Sequence, residues 1–487
     1  MRLCTKQQQG SINKAIKMQP HTAKPNNQNR TVPHQRGVKK AVLSILLAVS
    51  LAFISALIFA PTKASAFIRD EETEELIRDY ARPIFSAAGL STQNIAIHII
   101  NNKAFNAFVV DGRNMFIFSG AIMLSKTPNQ LIGVMAHEAG HISGGHLSRL
   151  RAHAAKAQTL DIMMKILGGA LLIAGGAGGG SDLGKAGQGI FSGSSYQTMR
   201  SINRYRQQEE YAADQAAYAY LTRTRQSVKG MLETFEFFAS QAVGTGKHAD
   251  PYVRSHPLPR QRINQLYEKA RRSPYFNKKD SPKLQLRHDM VRAKMIAFTT
   301  QPNLVFNRYG KKNDLPSRYA IAIASFKSGG LKAFLPKINR LIKEQPNNPY
   351  FQELKGQFLL ESGKPRQAVA PLERALKLAP RAALIRIMLA QALSQIPGQS
   401  NANKIIRHLK IALVKEPRSP LGNRLLATAY AKKRDIANAE LASAKAYFYE
   451  GKLSLAKNQA ARAKQKLKRG SPGWIQADDI LTFNPKR

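Results

Sequence analysis

Acidic residues are scarce in this 487-residue chain: 30 Asp and Glu stand against 75 Lys and Arg, a formal net charge of +45 at pH 7. Such an imbalance calls for acidic partners or for a broadly solvated basic surface. Nucleic acid is not the expected partner. There is no Cys/His finger and no RNP-like aromatic stretch, and the positive charge runs along the whole chain instead of one stripe. Cysteine is nearly missing as well. Cys4 is the only one, upstream of the long apolar run, so everything beyond that run has no disulfides and no thiolate ligands, and Cys4 cannot be a lipobox cysteine. Any metal downstream must be held by His and carboxylate. The remaining composition, 43% hydrophobic and 22% charged, is that of a globular protein, and the length predicts two or three domains.

No acidic residue occurs between Met1 and Lys40, and Lys39-Lys40 directly precede the apolar run Ala41–Ala60. "ASA" follows at Ala64–Ala66, and then "FIRDEETEE" turns abruptly acidic. Basic flank, apolar stretch and small-x-small site predict a signal peptide over 1–66, cleaved after Ala66. The alternative is an uncleaved anchor holding the chain to the inner membrane, facing the periplasm.

Residues 70–92 carry apolar positions at helical spacing. The short runs Asn94–Asn102, Ala104–Val110 and Asn114–Gly120, with a turn at Asp111–Arg113, predict a small antiparallel sheet. "NMFIF" or "NIAIHI" is expected to form its exposed edge, along which an extended peptide can lie. Thr127 and Pro128 form a helix start, as N-cap and first helical residue. A glycine-rich loop over 168–195 reads equally as a flexible connection or as an apolar lid able to touch a membrane surface. From Pro316 onward the pattern is helix after helix. Pro346 and Pro380 lie 34 residues apart, with Gly356, Ala368, Leu372 and Ala375 between them in the small and large places of a tetratricopeptide repeat. Related spacing continues through Ala390, Leu409, Ala412, Ala427, Ala444 and Ala460. Residues 67–275 are therefore expected as the first domain, 276–315 as a linker, 316–470 as repeats and 471–487 as a tail.

The chemistry lies in "MAHEAGHISGGH", Met135–His146. On a helix His137 and His141 leave the same face one turn apart, so both imidazoles can reach a single Zn2+. Glu138 is rotated about 100° from that face by helix geometry, placed to take a proton from water, not to bind the ion. A third ligand has two candidates. His146 falls one position short of the metzincin spacing, at which Leu147 stands. A later helix, "RQQEEYAADQAAYAYL", offers Glu209, Glu210 and Asp214. Glu210 and Asp214 share a face, so one can bind the metal while the other hydrogen-bonds a ligand histidine.

HEAGH followed by E-x-x-A-D at Glu210–Asp214, then "RSHPLPRQRI" at Arg254–Ile263, resembles the M48 family of zinc metallopeptidases. The likeness covers about 70–270. It implies a zincin-like metallopeptidase domain, which with the small antiparallel sheet and the repeat spacing gives an α+β, mostly helical fold: that domain followed by an α-helical tetratricopeptide-repeat solenoid. By that resemblance His137, His141 and Glu210 are the ligands of one Zn2+ per chain and Glu138 is the general base. Asp214 is the acid behind a ligand, and His256 is a regulatory group able to approach the metal. The chain departs from the family in its larger glycine-rich insert and its far more positive charge.

The expectation is an exported zinc endopeptidase in the periplasm of a Gram-negative bacterium. It would hydrolyse misfolded or unassembled envelope polypeptides and dock an envelope protein partner through its repeats. The alternative is a repeat scaffold with an inactive or plugged metal site.

Overall fold

The computed structural model describes residues 67–91, 94–110, 112–146, 148–149, 193–245, 251–396 and 401–484. Cys4, the apolar run 41–60, the cleavage site at Ala66, Asp111 and residues 168–192 of the glycine-rich loop lie outside the described residues. Among the described residues no helix is long and apolar enough to cross a membrane.

Strand β1 (Phe67–Ile68) is followed by helix α1 (Glu71–Ala87), whose N-cap Asp70 accepts from the backbone N–H of Thr73. Strands β2 (Ala96–Ile100), β3 (Ala107–Val109) and β4 (Asn114–Phe118) complete a four-stranded sheet in the order β1-β2-β4-β3. The sheet is mixed, which corrects the expectation of an antiparallel one. β1–β2 and β3–β4 are antiparallel, but β2 and β4 run parallel. The turn at Gly112, φ +74°, does close the β3–β4 hairpin. However, β3 lies outside β4 at the far edge, so β2 and β3 follow one another in sequence but are separated in the sheet by β4. "NIAIHI" and "NMFIF" are therefore interior, and the edges are β1 and the short β3.

Alternation sorts the two faces. Ile99, Ala107, Met115 and Ile117 point into the main core, while Ile100, Phe108 and Phe118 form a small cluster on the other side. On that side His98 stacks on Phe116 and Phe116 on Phe108, with ring centroids 4.9 and 5.2 Å apart.

After α2 (Ser119–Leu124), helix α3 (Pro128–Ser143) starts where the sequence predicts, with Thr127 accepting from the backbone N–H of Gln130 and Pro128 in the first turn. It lies between α4 (Gly193–Arg223) and α5 (Lys229–Thr245). Small residues set how closely. A Cβ on Gly140 would fall 2.9 Å from the carbonyl oxygen of Ala213 in α4, and one on Gly133 would fall 2.6 Å from Cβ of Met231 in α5. Helices α6 (Pro251–Ser255) and α7 (Arg260–Ala270) then close over the site.

Helices α8 (Pro282–Thr299) and α9 (Pro302–Tyr309) lead into a run broken at Gly330, α10 (Leu315–Glu344). Beyond it α11 (Pro349–Glu361), α12 (Pro365–Leu378), α13 (Ala383–Ser394), α14 (Ala402–Lys415), α15 (Pro420–Lys432), α16 (Ile436–Tyr449), α17 (Leu453–Lys466) and α18 (Pro472–Thr482) each pack on the next. Gly356 of α11 sits against Leu372 of α12, the small-against-large contact that lets paired helices approach. This is a helical stack of the expected kind. The main core is continuous from the sheet through α8 and α10 to Phe358 of α11.

The acidic segment that opens α1 is buried against the helical stack. Lys294 of α8, 2% exposed, lies 2.6 Å from Oδ1 of Asp70 and 3.1 Å from Oε2 of Glu72. Tyr319 of α10 donates to Glu72 at 3.1 Å, and the backbone N–H of Leu384 in α13 donates to Glu71 at 2.9 Å.

Candidate metal centre

Helices α3 and α4 and the segment after α6 bring four side chains to one point. Nε2 of His137 lies 3.1 Å from Nε2 of His141, 3.3 Å from Nδ1 of His256 and 3.3 Å from Oε2 of Glu210. Oε1 of Glu210 lies 3.4 Å from Nε2 of His141 and 3.0 Å from Nδ1 of His256. Taking one ligand atom from each of these four residues, all lie within 4.8 Å of one another. Tetrahedral zinc with bonds of about 2.0–2.1 Å has ligand–ligand edges of roughly 3.3 Å, close to most of these separations. The donor set is also right, three imidazoles and one carboxylate with no thiolate. The residues fit a zinc ion.

Glu138 is fully buried beside this group, and neither carboxylate oxygen has a hydrogen-bond partner. Its Oε1 is 3.3 Å from Nε2 of His256, without the alignment of a hydrogen bond. Burial pushes its carboxyl up to about 7, against the pull of His141 and His137. Glu210 is shifted the other way. Burial opposes its ionisation, yet His256, His141 and His137 together hold it well below the usual carboxylate range.

On the far side of His137, Nδ1 lies 3.0 Å from Oδ1 of Asp214, one helical turn after Glu210. Asp214 is gripped by Arg262 of α7, whose Nε and Nη2 donate at 2.5 and 2.8 Å. Burial again opposes ionisation, but the Arg262 guanidinium keeps Asp214 below its ordinary value. The same guanidinium lies 2.9 Å from Oε2 of Glu210 and donates to the carbonyl oxygen of Pro257 at 2.7 Å, so it ties the His256 segment to both carboxylates. Sequence reasoning missed Arg262. Its only signal was its place in "RSHPLPRQRI", six residues after His256.

His137, Glu138, His141, Glu210, Asp214 and His256 are all brought together. His146 is not in the ligand group. It lies behind His141, with Nδ1 2.9 Å from that ring's Nδ1 and Nε2 2.9 Å from Oε2 of Glu209.

Two histidines one turn apart, a buried glutamate between them and a carboxylate from a second helix could hold a metal ion with an acid–base group beside it, the arrangement a metalloendopeptidase needs. Residues 68–270, less than half of the chain, match the model of Peptidase family M48. The chain is similar to the beta-barrel assembly-enhancing protease of Yersinia pestis, 25% identical over 384 residues, covering 77% of this chain and 75% of that protein. A putative beta-barrel assembly-enhancing protease of Vibrio cholerae serotype O1 is 26% identical over 293 residues, 58% of each chain. The mitochondrial metalloendopeptidase OMA1 of Schizosaccharomyces pombe is 33% identical over 63 residues, covering 13% of this chain and 19% of that protein.

Proposed function

We propose that this chain is an exported zinc endopeptidase of the Gram-negative periplasm, holding one Zn2+ through His137, His141 and Glu210. The observation that carries this reading is the convergence of those three ligands next to a fully buried Glu138 with both oxygens unengaged. When bound, zinc supplies Lewis-acid polarisation of a carbonyl and eases deprotonation of water. Glu138 takes one proton from the water as its oxygen adds to the scissile carbonyl carbon. It then hands that proton to the amide nitrogen, and the C–N bond breaks to leave a carboxylic acid and an amine. Asp214 holds Nδ1 of His137, which would leave Nε2 of that ring free to bind the metal.

The substrate we assign is an unfolded polypeptide laid along β3, the edge strand packed against α3. Edge pairing reads backbone more than side chain, which suits a protease for misfolded or unassembled envelope proteins. The names of the two bacterial relatives extend this to β-barrel proteins during assembly. The helical stack, read as tetratricopeptide repeats, would dock an envelope partner, and the glycine-rich segment would contact the membrane surface.

One observation favours a second reading, a scaffold with a plugged site. His256 stands with the ligand group, so the resting site has four protein donors and no free corner. Zinc content together with casein cleavage separates the two. The protease reading expects about one zinc per chain in wild type and in Glu138→Gln, with cleavage lost by roughly 10²–10⁴-fold in the variant. His256→Ala should raise cleavage. Stoichiometric zinc without cleavage in both wild type and His256→Ala would establish the scaffold.

A further inference from the structure

Helix α3 ends in two glycines. Gly144 caps it, and Gly145 at φ +63° turns the chain so that His146 folds back over the helix end. A Cβ on Gly144 would collide with the His146 ring, although the backbone there is ordinary helix. The fold keeps this corner open for an imidazole.

That imidazole joins His141 to a carboxylate. Nδ1 of His146 lies 2.9 Å from Nδ1 of His141, the nitrogen facing away from the ligand group. Nε2 of His146 lies 2.9 Å from Oε2 of Glu209. Arg149 holds Glu209 from outside, donating from Nη2 at 2.8 Å and from Nε at 3.2 Å. An ionised carboxylate only accepts, so Glu209 fixes the N–H of His146 on Nε2. The Nδ1 of His146 must then accept, His141 must carry its proton on Nδ1, and the Nε2 lone pair of His141 is left facing Glu210 and His137. His137 is served the same way one link shorter, by Asp214 and Arg262. Successive residues on a helix diverge by about 100°, so Glu209 cannot follow Glu210 into the site. The His146 ring spans the gap.

We propose that His146 is a positioning residue of the metal site: with Glu209 and Arg149 it sets the tautomer and orientation of His141, and the Gly144–Gly145 turn gives it the reach. This rests on the reading of His137, His141 and Glu210 as zinc ligands.

The test uses the full chain as wild type, His146→Ala, His146→Asn, Gly144→Ala and Glu209→Gln. Zinc affinity is read by chelator competition, the Co2+-substituted site by visible absorption, and the fold of the metal-free protein by circular dichroism. His146→Ala and Gly144→Ala should bind zinc about 10–100-fold more weakly with altered Co2+ bands and an unchanged fold. His146→Asn should recover part of the affinity, because its side-chain oxygen can accept from Nδ1 of His141. Glu209→Gln covers the case in which a substitution at the turn fails to fold. Unchanged affinity and Co2+ bands in His146→Ala overturn the proposal alone. So does loss of one nitrogen ligand in His146→Ala with Gly144→Ala unaffected, which would make His146 itself a ligand. Failure of wild type to take up zinc overturns the ligand reading and this inference together.

Discussion

Glu210 and Asp214, one turn apart on α4, meet opposite nitrogens of the same ring. Oε2 of Glu210 is 3.3 Å from Nε2 of His137, and Oδ1 of Asp214 is 3.0 Å from its Nδ1. One helix thus supplies both a candidate ligand and the group that orients a ligand on its neighbour. The i,i+4 spacing makes that possible, since it stacks two side chains on one face. Gly140 against Ala213 makes it close enough.

Asp214→Asn should weaken zinc binding by about 10–100-fold while leaving the four ligand-group residues in place. Chelator competition reads the affinity. The buried Arg262 loses a charged partner in this variant, so the midpoint of thermal unfolding should fall as well. Unchanged affinity would mean that Asp214 serves Arg262 alone.

Lys294→Met should destabilise the chain by about 3–5 kcal/mol, because Asp70 and Glu72 are left buried without their cation. Denaturant unfolding measures the loss. The same contact ties the start of α1 to α8, so trypsin should nick the α8–α10 region faster in the variant. Equal stability would show that the two carboxylates find other partners.

His288 of α8 is fully buried between the Tyr80 hydroxyl, 3.0 Å from Nδ1, and the carbonyl oxygen of Ser125, 2.9 Å from Nε2. Burial lowers its pKa below the ordinary 6.5, against the pull of the Ser125 carbonyl. The unfolded chain therefore binds a proton more readily than the folded one. Its contribution is fully present above the unfolded value of 6.5 and is lost as pH falls through the folded one. The stability difference between wild type and His288→Gln should narrow from pH 7.5 to pH 5. A constant difference across that range would contradict this.

Much of the site was legible because it is local. The Thr127-Pro128 start follows from capping chemistry, the one-turn pair His137 and His141 from helix periodicity, and the small residue Gly356 from the repeat spacing. Glu210 and Asp214 were legible as a pair because carboxylates are few in so basic a chain. For the same reason Arg262 was invisible, since one buried guanidinium looks like any other of the 75 cations. Alternation in β2, β3 and β4 told which side chains face the core but not which strand pairs with which, so the parallel β2–β4 contact was missed. The acidic residues Asp70–Glu75 read as the abrupt end of an export segment. Their partners Lys294, Tyr319 and Leu384 stand more than 200 positions later, beyond any local signal.

The most direct measurement is metal analysis of Glu210→Ala beside wild type, with casein cleavage read on the same samples. About one zinc per chain in wild type, and loss of both zinc and cleavage in the variant, is the expected result. Stoichiometric zinc with retained cleavage in Glu210→Ala would contradict the claim that this carboxylate joins His137 and His141 on the metal.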